Sequence, residues 1–179
     1  MINFVIIIGA TNSGKTSLAQ SYESKGYKRV NFDSFYHQNR KRKSPHNFSL
    51  INHQILCYII AEINRGNKIV YEGTQLLLPT LFQQIVNICN QNGIEAGFVF
   101  IDKSLEQLVL NLVNRWRSKA MSTRIRIEQI FLLFFSYVFF ACIKYYFSRQ
   151  INYYHYVSSK IVSNSIIKNK SYLIINEYL

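Results

Sequence analysis

Residues 9 to 16 read Gly-Ala-Thr-Asn-Ser-Gly-Lys-Thr, which is the spacing GxxxxGK[ST]. Glycines at that distance let consecutive backbone N–H groups turn inward around one small concavity, and such a concavity grips a polyphosphate. Lys15 can then reach the β- and γ-phosphates, and the Thr16 hydroxyl can ligate Mg²⁺. Gly9, Ala10, Thr11, Asn12, Ser13, Gly14, Lys15, Thr16 and the adjoining Ser17 are the expected nucleotide-binding residues, with ATP and Mg²⁺ as the expected cofactors. A chance glycine turn with a surface lysine would give the same letters. The flanking elements argue against it, because an apolar run precedes the loop and an amphipathic one follows it.

Acidic residues are scarce, so each one near the loop stands out. The chain has 21 Lys plus Arg against 9 Asp plus Glu, and its only aspartates are Asp33 and Asp102. Asp33 closes the segment Asn31-Phe32-Asp33, and Glu72 closes Ile69-Val70-Tyr71-Glu72. In an open parallel sheet, ligands bind at the carboxyl ends of the strands, so both acids are expected to share a crevice with Lys15. A carboxylate there can take the proton of an attacking hydroxyl or hold Mg²⁺ through water. Asp33 could instead cap a helix, and Glu72 could be a solvated strand end. Asp102 precedes Ser104 and is expected to help start a helix.

Guanidinium groups can neutralise the charge on a phosphoryl group in flight. Arg115, Arg117, Arg124 and Arg126 cluster in a basic segment, 115–126, that is expected to act as a lid. The same cluster would equally suit a solvated helix end. Arg40-Lys41-Arg42-Lys43 is either a solvated loop or a contact to an anionic substrate. Phe35 and Tyr36 could wall an acceptor pocket, or belong to the core.

The elements that must position these groups alternate. Strands are expected over residues 3–8, 27–32, 68–71 and 96–101, with a last one at 172–175. Helices are expected over 15–25, 50–65 and 80–92, then after a capping box at Ser104 and Gln107. A basic loop should connect Asp33 to Pro45, and an aromatic helix should cover about 127–147. This order predicts a single α/β domain over 1–179, of three layers, with a mostly parallel five-stranded sheet.

The apolar run Ile130 to Ile143 is shorter than the roughly 20 residues that span a bilayer, so a buried helix is expected and a membrane is not. Cys57, Cys89 and Cys142 lie far apart in apolar stretches without metal spacing. They read as reduced core residues of a cytoplasmic protein. The formal charge of +12 favours anionic partners and leaves nucleic acid open. No Asn-Lys-x-Asp base-recognition sequence is present, which argues against a GTPase.

GATNSGKT, NFDSFY and IVYEGT together resemble the small P-loop kinases, and within them the zeta-toxin-like and related small-molecule kinases. The resemblance spans residues 3 to 74, and more weakly runs to about 126. It implies a P-loop NTPase fold and γ-phosphate transfer from Mg·ATP to a hydroxyl of a small molecule, nucleoside or nucleotide-like acceptor. It further implies Asp33 as the base, Glu72 and Thr74 at the acceptor or at the water around Mg²⁺, and an arginine of 115–126 on the transferring group. The sequence departs from the zeta pattern after Asp33, where Ser34-Phe35-Tyr36-His37 replaces the usual basic residue and His-Pro pair. A zeta-type toxin, a polynucleotide kinase and a non-catalytic ATP-binding regulator at a membrane are the alternatives.

Overall fold

The structure is a computed structural model that describes residues 2–41, 48–118 and 122–150, with short strands at 157–158, 168–169 and 172–174. Strand β1 (Phe4–Gly9) is buried at all six positions. Its β-branched run has no polar face, as expected for a strand covered on both sides. It lies parallel between β3 (Ile69–Glu72) and β4 (Ala96–Asp102), and β2 (Lys28–Asn31) flanks β3.

The order β2-β3-β1-β4 corrects the expected five-stranded sheet: four parallel strands of four to seven residues carry it. Beyond β4 the pieces are shorter. Val157–Ser158 (β5) pairs with β4, Lys168–Asn169 (β6) pairs with β7, and Tyr172–Ile174 (β7) runs parallel to β4 for three residues. The strand expected at 172–175 is therefore a three-residue piece between β4 and β6.

Alternate residues of β1 divide the core. Val5 and Ile7 pack with Ala19 and Tyr22 of helix α1 (Lys15–Ser24). Phe4, Ile6 and Ile8 pack with Ile55 and Ile59 of α3 (Phe48–Asn64) and with Phe82 and Ile85 of α4 (Pro79–Gln91). Helices thus cover both faces of the sheet, giving three layers.

Helix α2 (Phe32–Lys41) replaces the loop expected after Asp33. Phe32 is buried, and Phe35 and Tyr36 pack against the same core as α3. That packing outweighs the weak helix propensity of Phe, Asp, Ser and Tyr. The basic run is split: Arg40 and Lys41 end α2, and Arg42 and Lys43 lie outside the described residues. Helix α5 (Leu105–Ser118) opens with the expected capping box. The Ser104 N–H donates to Gln107 Oε1 at 3.2 Å, and the Gln107 N–H donates to Ser104 Oγ at 3.3 Å.

Helix α6 (Thr123–Gln150) corrects two further expectations. Arg124 and Arg126 belong to its first turns rather than to a polar lid segment. The helix is also not buried: within Thr123–Ile143, which is long and apolar enough to cross a membrane, 17% is buried. The inner stripe of Leu133, Ser136, Phe140 and Ile143 packs inward, while Phe131, Phe135 and Val138 face out. Among the cysteines Cys89 is buried, but Cys57 and Cys142 are exposed, against the expectation of three core thiols.

Candidate active site

The phosphate loop follows from two close approaches. A side chain at residue 9 would place a Cβ 2.6 Å from Ser13 Oγ and 3.1 Å from the Ile101 carbonyl oxygen, so only glycine fits. Gly14 caps α1 at φ 100°, a left-handed conformation that glycine adopts without strain. Asn12 is also left-handed, at φ 64°. Its carbonyl accepts from Asn111 Nδ2 at 2.9 Å and its side-chain Oδ1 from Arg115 Nη1 at 3.3 Å, both from α5. On the other side, the Thr11 N–H donates to Ser136 Oγ of α6 at 2.9 Å. Two helices distant in sequence thus hold the loop in its turned shape.

Lys15 is buried, and its Nζ donates to the carbonyls of Gly9 at 2.9 Å and Ala10 at 2.7 Å. Burial pushes its pKa down to about 8, against the opposing pull of the Glu72 and Asp33 carboxylates. Thr11 Oγ1, Asn12 Nδ2 and Ser13 Oγ are buried and make no hydrogen bond among the described residues. A buried polar atom left unpaired is costly. Three of them beside a desolvated ammonium fit a loop shaped around an anion.

The register Ile7↔Glu72 brings the end of β3 beside β1. Glu72 is fully buried and accepts from Thr16 Oγ1 at 3.2 Å, Arg29 Nε at 2.7 Å and Asn31 Nδ2 at 3.3 Å. It is therefore no solvated strand end. Arg29 and Asn31 flank Val30 on β2, so both project to the same side of the sheet, toward Glu72.

A cleft of about 690 Å³ opens over these groups. Thr16, Asp33, Glu72, Lys103 and Arg115 line it together with Lys15, and Gln129 and Leu132 of α6 close one wall. Against the expectation, Asp33 does not end β2. It lies in the first turn of α2, exposed to the cleft. Phe35 and Tyr36 do not line the cleft: Phe35 packs on Tyr58 and Tyr36 stacks on Phe32. Thr74 opens a 3₁₀ turn behind Gly73, and its side chain is outside the described set. Arg117 is exposed and does not line the cleft, and Arg126 stacks over Trp116 instead.

Sequence reasoning missed Arg29, Asn31, Lys103, Asn111 and Ser136. The alternation of Arg29 and Asn31 around Val30 was a usable signal. Lys103, the residue after β4, was another. Asn111 and Ser136 had none, because only the packing of α5 and α6 brings them to the loop.

Among the described residues, no group of three or more His, Cys, Asp or Glu could hold a metal ion. Mg²⁺ is generally bound through one or two carboxylates together with substrate phosphates and water. Thr16 Oγ1 and Glu72, hydrogen-bonded to each other at 3.2 Å, are the groups that could hold it.

No protein-family model matches the sequence, and no curated protein does. Solved structures do. A chain of the Pnkp1/Rnl/Hen1 RNA repair complex is similar over 75% of this chain, at TM-score 0.55 and 20% identity. A sugar kinase from Janibacter sp. HTCC2649 is similar over 74%, at TM-score 0.51 and 17% identity, and 78% of that kinase is covered. This chain spans only 45% of the RNA-repair chain, and 40% of its counterpart in a second structure of the Pnkp1/Rnl/Hen1 complex. The chain shares its parallel-sheet α/β fold with these structures, and at these identities the likeness is one of fold alone. The likeness reaches that fold in general and does not single out the zeta-toxin-like group.

Proposed function

We propose that the chain is a kinase that transfers the γ-phosphate of ATP to a hydroxyl group of a small-molecule, nucleoside or nucleotide-like acceptor. The convergence of Lys15, Thr16, Asp33, Glu72 and Arg115 on one cleft carries this reading. The turned amides of residues 12–16 hold the β-phosphate at the N-terminus of α1. Lys15 leaves the carbonyls of Gly9 and Ala10 to meet the β- and γ-oxygens. Asp33, exposed on the cleft wall, accepts the proton of the acceptor hydroxyl. The acceptor oxygen forms a bond to the γ-phosphorus as the bond from that phosphorus to the β,γ-bridging oxygen breaks, and ADP leaves. Arg115, tethered to Asn12, neutralises charge on the transferring oxygens. Mg²⁺ would supply neutralisation of the negative charge on the phosphate oxygens. Thr16 and Glu72 would hold it.

The test is mass spectrometry of a metabolite mixture incubated with ATP and Mg²⁺. A species gaining one phosphate with wild-type protein and not with Lys15→Ala is expected. A melting curve unmoved by millimolar Mg·ATP would sink the reading. The net charge of +12 and the likeness to a chain of an RNA repair complex support a second acceptor, the hydroxyl of an RNA end. Strongly salt-dependent oligonucleotide binding is then expected. No binding at low salt removes that option.

A further inference from the structure

Helix α6 carries two stripes, each spaced four and three residues in alternation. The inner one, Gln129, Leu133, Ser136, Phe140 and Ile143, faces the chain's own domain and closes on the phosphate loop through Ser136. The outer one is Ile127, Phe131, Phe134, Val138, Ala141 and Tyr145, and every member is exposed. A repeat of four and three is the seam along which one helix packs against another. A helix apolar all round is normally covered all round.

The exposed area is large. The five bulky residues of the outer stripe, Ile127, Phe131, Phe134, Val138 and Tyr145, have between 50% and 61% of their surface in solvent. At the 150–250 Å² that a large side chain can bury, the stripe exposes on the order of 500 Å². That lies at the upper end of the roughly 300–600 Å² of the largest apolar patch on a typical monomer, and such patches mark interaction sites. It would form the apolar core of a standard interface of roughly 800 Å² per partner.

We infer that the outer seam of α6 is a two-fold interface with a second copy of this chain, the two helices antiparallel. The spacing is palindromic, so an antiparallel copy matches it at every step. Ile127 then faces Tyr145, Phe131 faces Ala141 and Phe134 faces Val138, each pair setting a larger side chain against a smaller one. Self-complementarity of this kind is what a two-fold interface requires, and an uncharged, apolar core is typical of homodimers. No charged residue lies between Ile130 and Ile143, so the middle of the seam carries none of the +12 of each copy. A bilayer fits less well. Spanning it would strip Ser136 from Thr11 and pull the inner stripe off the domain. The two α6 cations with described side chains are also engaged within the chain: Arg124 pairs with Glu128 at 3.1 Å and Arg126 stacks on Trp116. The inference does not rest on the kinase reading.

Sedimentation equilibrium of the full chain tests it. Twice the 21.1 kDa chain mass is expected for wild type, and the single mass for Phe131→Ser/Val138→Ser. Circular dichroism and the melting shift with Mg·ATP should be unchanged in the variant. A second measurement needs no variant. Maleimide labelling of Cys142, beside the seam, should slow several-fold as wild-type concentration rises, while exposed Cys57 on α3 labels at a constant rate. A monomer at every concentration, or a dimer that survives the double substitution, overturns the proposal. So does a monomer that pellets with phosphatidylglycerol vesicles, which would make a lipid surface the occupant.

Discussion

The Thr16 hydroxyl donates to Glu72 Oε2 across 3.2 Å, joining the phosphate loop to the end of a strand 56 residues away. Glu72 is almost wholly buried and its charge is matched by Arg29, which is about a quarter exposed. Removing one partner of a buried pair leaves the other uncompensated, at a cost of roughly 3–5 kcal/mol. Glu72→Ala is expected to destabilise the fold by about that much in urea unfolding. Arg29→Met/Glu72→Met should recover most of the loss, because an apolar pair of similar volume removes both charges together. A loss below about 1 kcal/mol for Glu72→Ala would mean that water screens the pair, as at an exposed site.

Asp33 faces the cleft from the first turn of α2, free of the core packing that fixes Phe32 beside it. Asp33→Asn keeps its shape and removes its basicity. Transfer should fall about 10²–10⁴-fold, the usual contribution of a positioned base. Affinity for Mg·ATP, measured by titration, should change little. Full transfer activity in this variant would take the base role from Asp33.

The parts of this fold that were legible in the sequence are local ones. The phosphate loop, the capping box at Ser104 and the apolar strand β1 each lie within ten residues, and their chemistry sets their shape. What escaped depends on contacts between distant segments. Phe32, Phe35 and Tyr36 make α2 a helix because the core receives them, not because Phe-Asp-Ser-Phe-Tyr favours one. Arg29 meets Glu72 across 43 residues, and Ser136 meets Thr11 across 125. The exposed face of α6 was misjudged for a related reason. Apolar composition reports that a surface seeks cover without telling what provides it.

Ser136 gives a direct test of the α6 clamp. Its hydroxyl accepts from the Thr11 N–H and donates to the Leu133 carbonyl, inside a buried stripe. Ser136→Ala leaves that N–H unpaired, at about 1–3 kcal/mol. Both thermal stability and ATP affinity should fall together. Ser136→Thr, which retains the oxygen, should restore part of each. An alanine variant with wild-type nucleotide affinity would show that the loop keeps its shape without the clamp.

The two arginines at the end of α5 should separate cleanly. Arg115 lines the cleft and bonds Asn12 Oδ1, whereas Arg117 is exposed and lines no part of it. Arginines that stabilise a transferring phosphoryl group are worth about 10³–10⁵ in kcat. Arg115→Ala should approach that loss, and Arg117→Ala should leave kcat near wild type. Equal losses would place the functional arginine elsewhere in the 115–126 segment.

If the loop binds ATP as proposed, Lys15 is expected to set the pH dependence of that binding. Burial lowers its pKa to about 8 in the free protein, while the phosphates of bound ATP favour its charged form and raise it again. Below pH 8 the ammonium is already present and binding is insensitive to this group. Above pH 8 the free protein has lost the proton that the complex must regain, so affinity should fall by up to about tenfold per pH unit. The sign for stability is opposite. Between about 8 and the ordinary lysine value of 10.5, the unfolded chain holds more protons than the folded one, so the free protein gains stability from this group as pH rises. Lys15→Met should flatten both trends between pH 8 and 10. Calorimetric titration in buffers of different ionisation enthalpy gives the check: wild type should take up a proton on binding ATP at pH 9, and the variant should not.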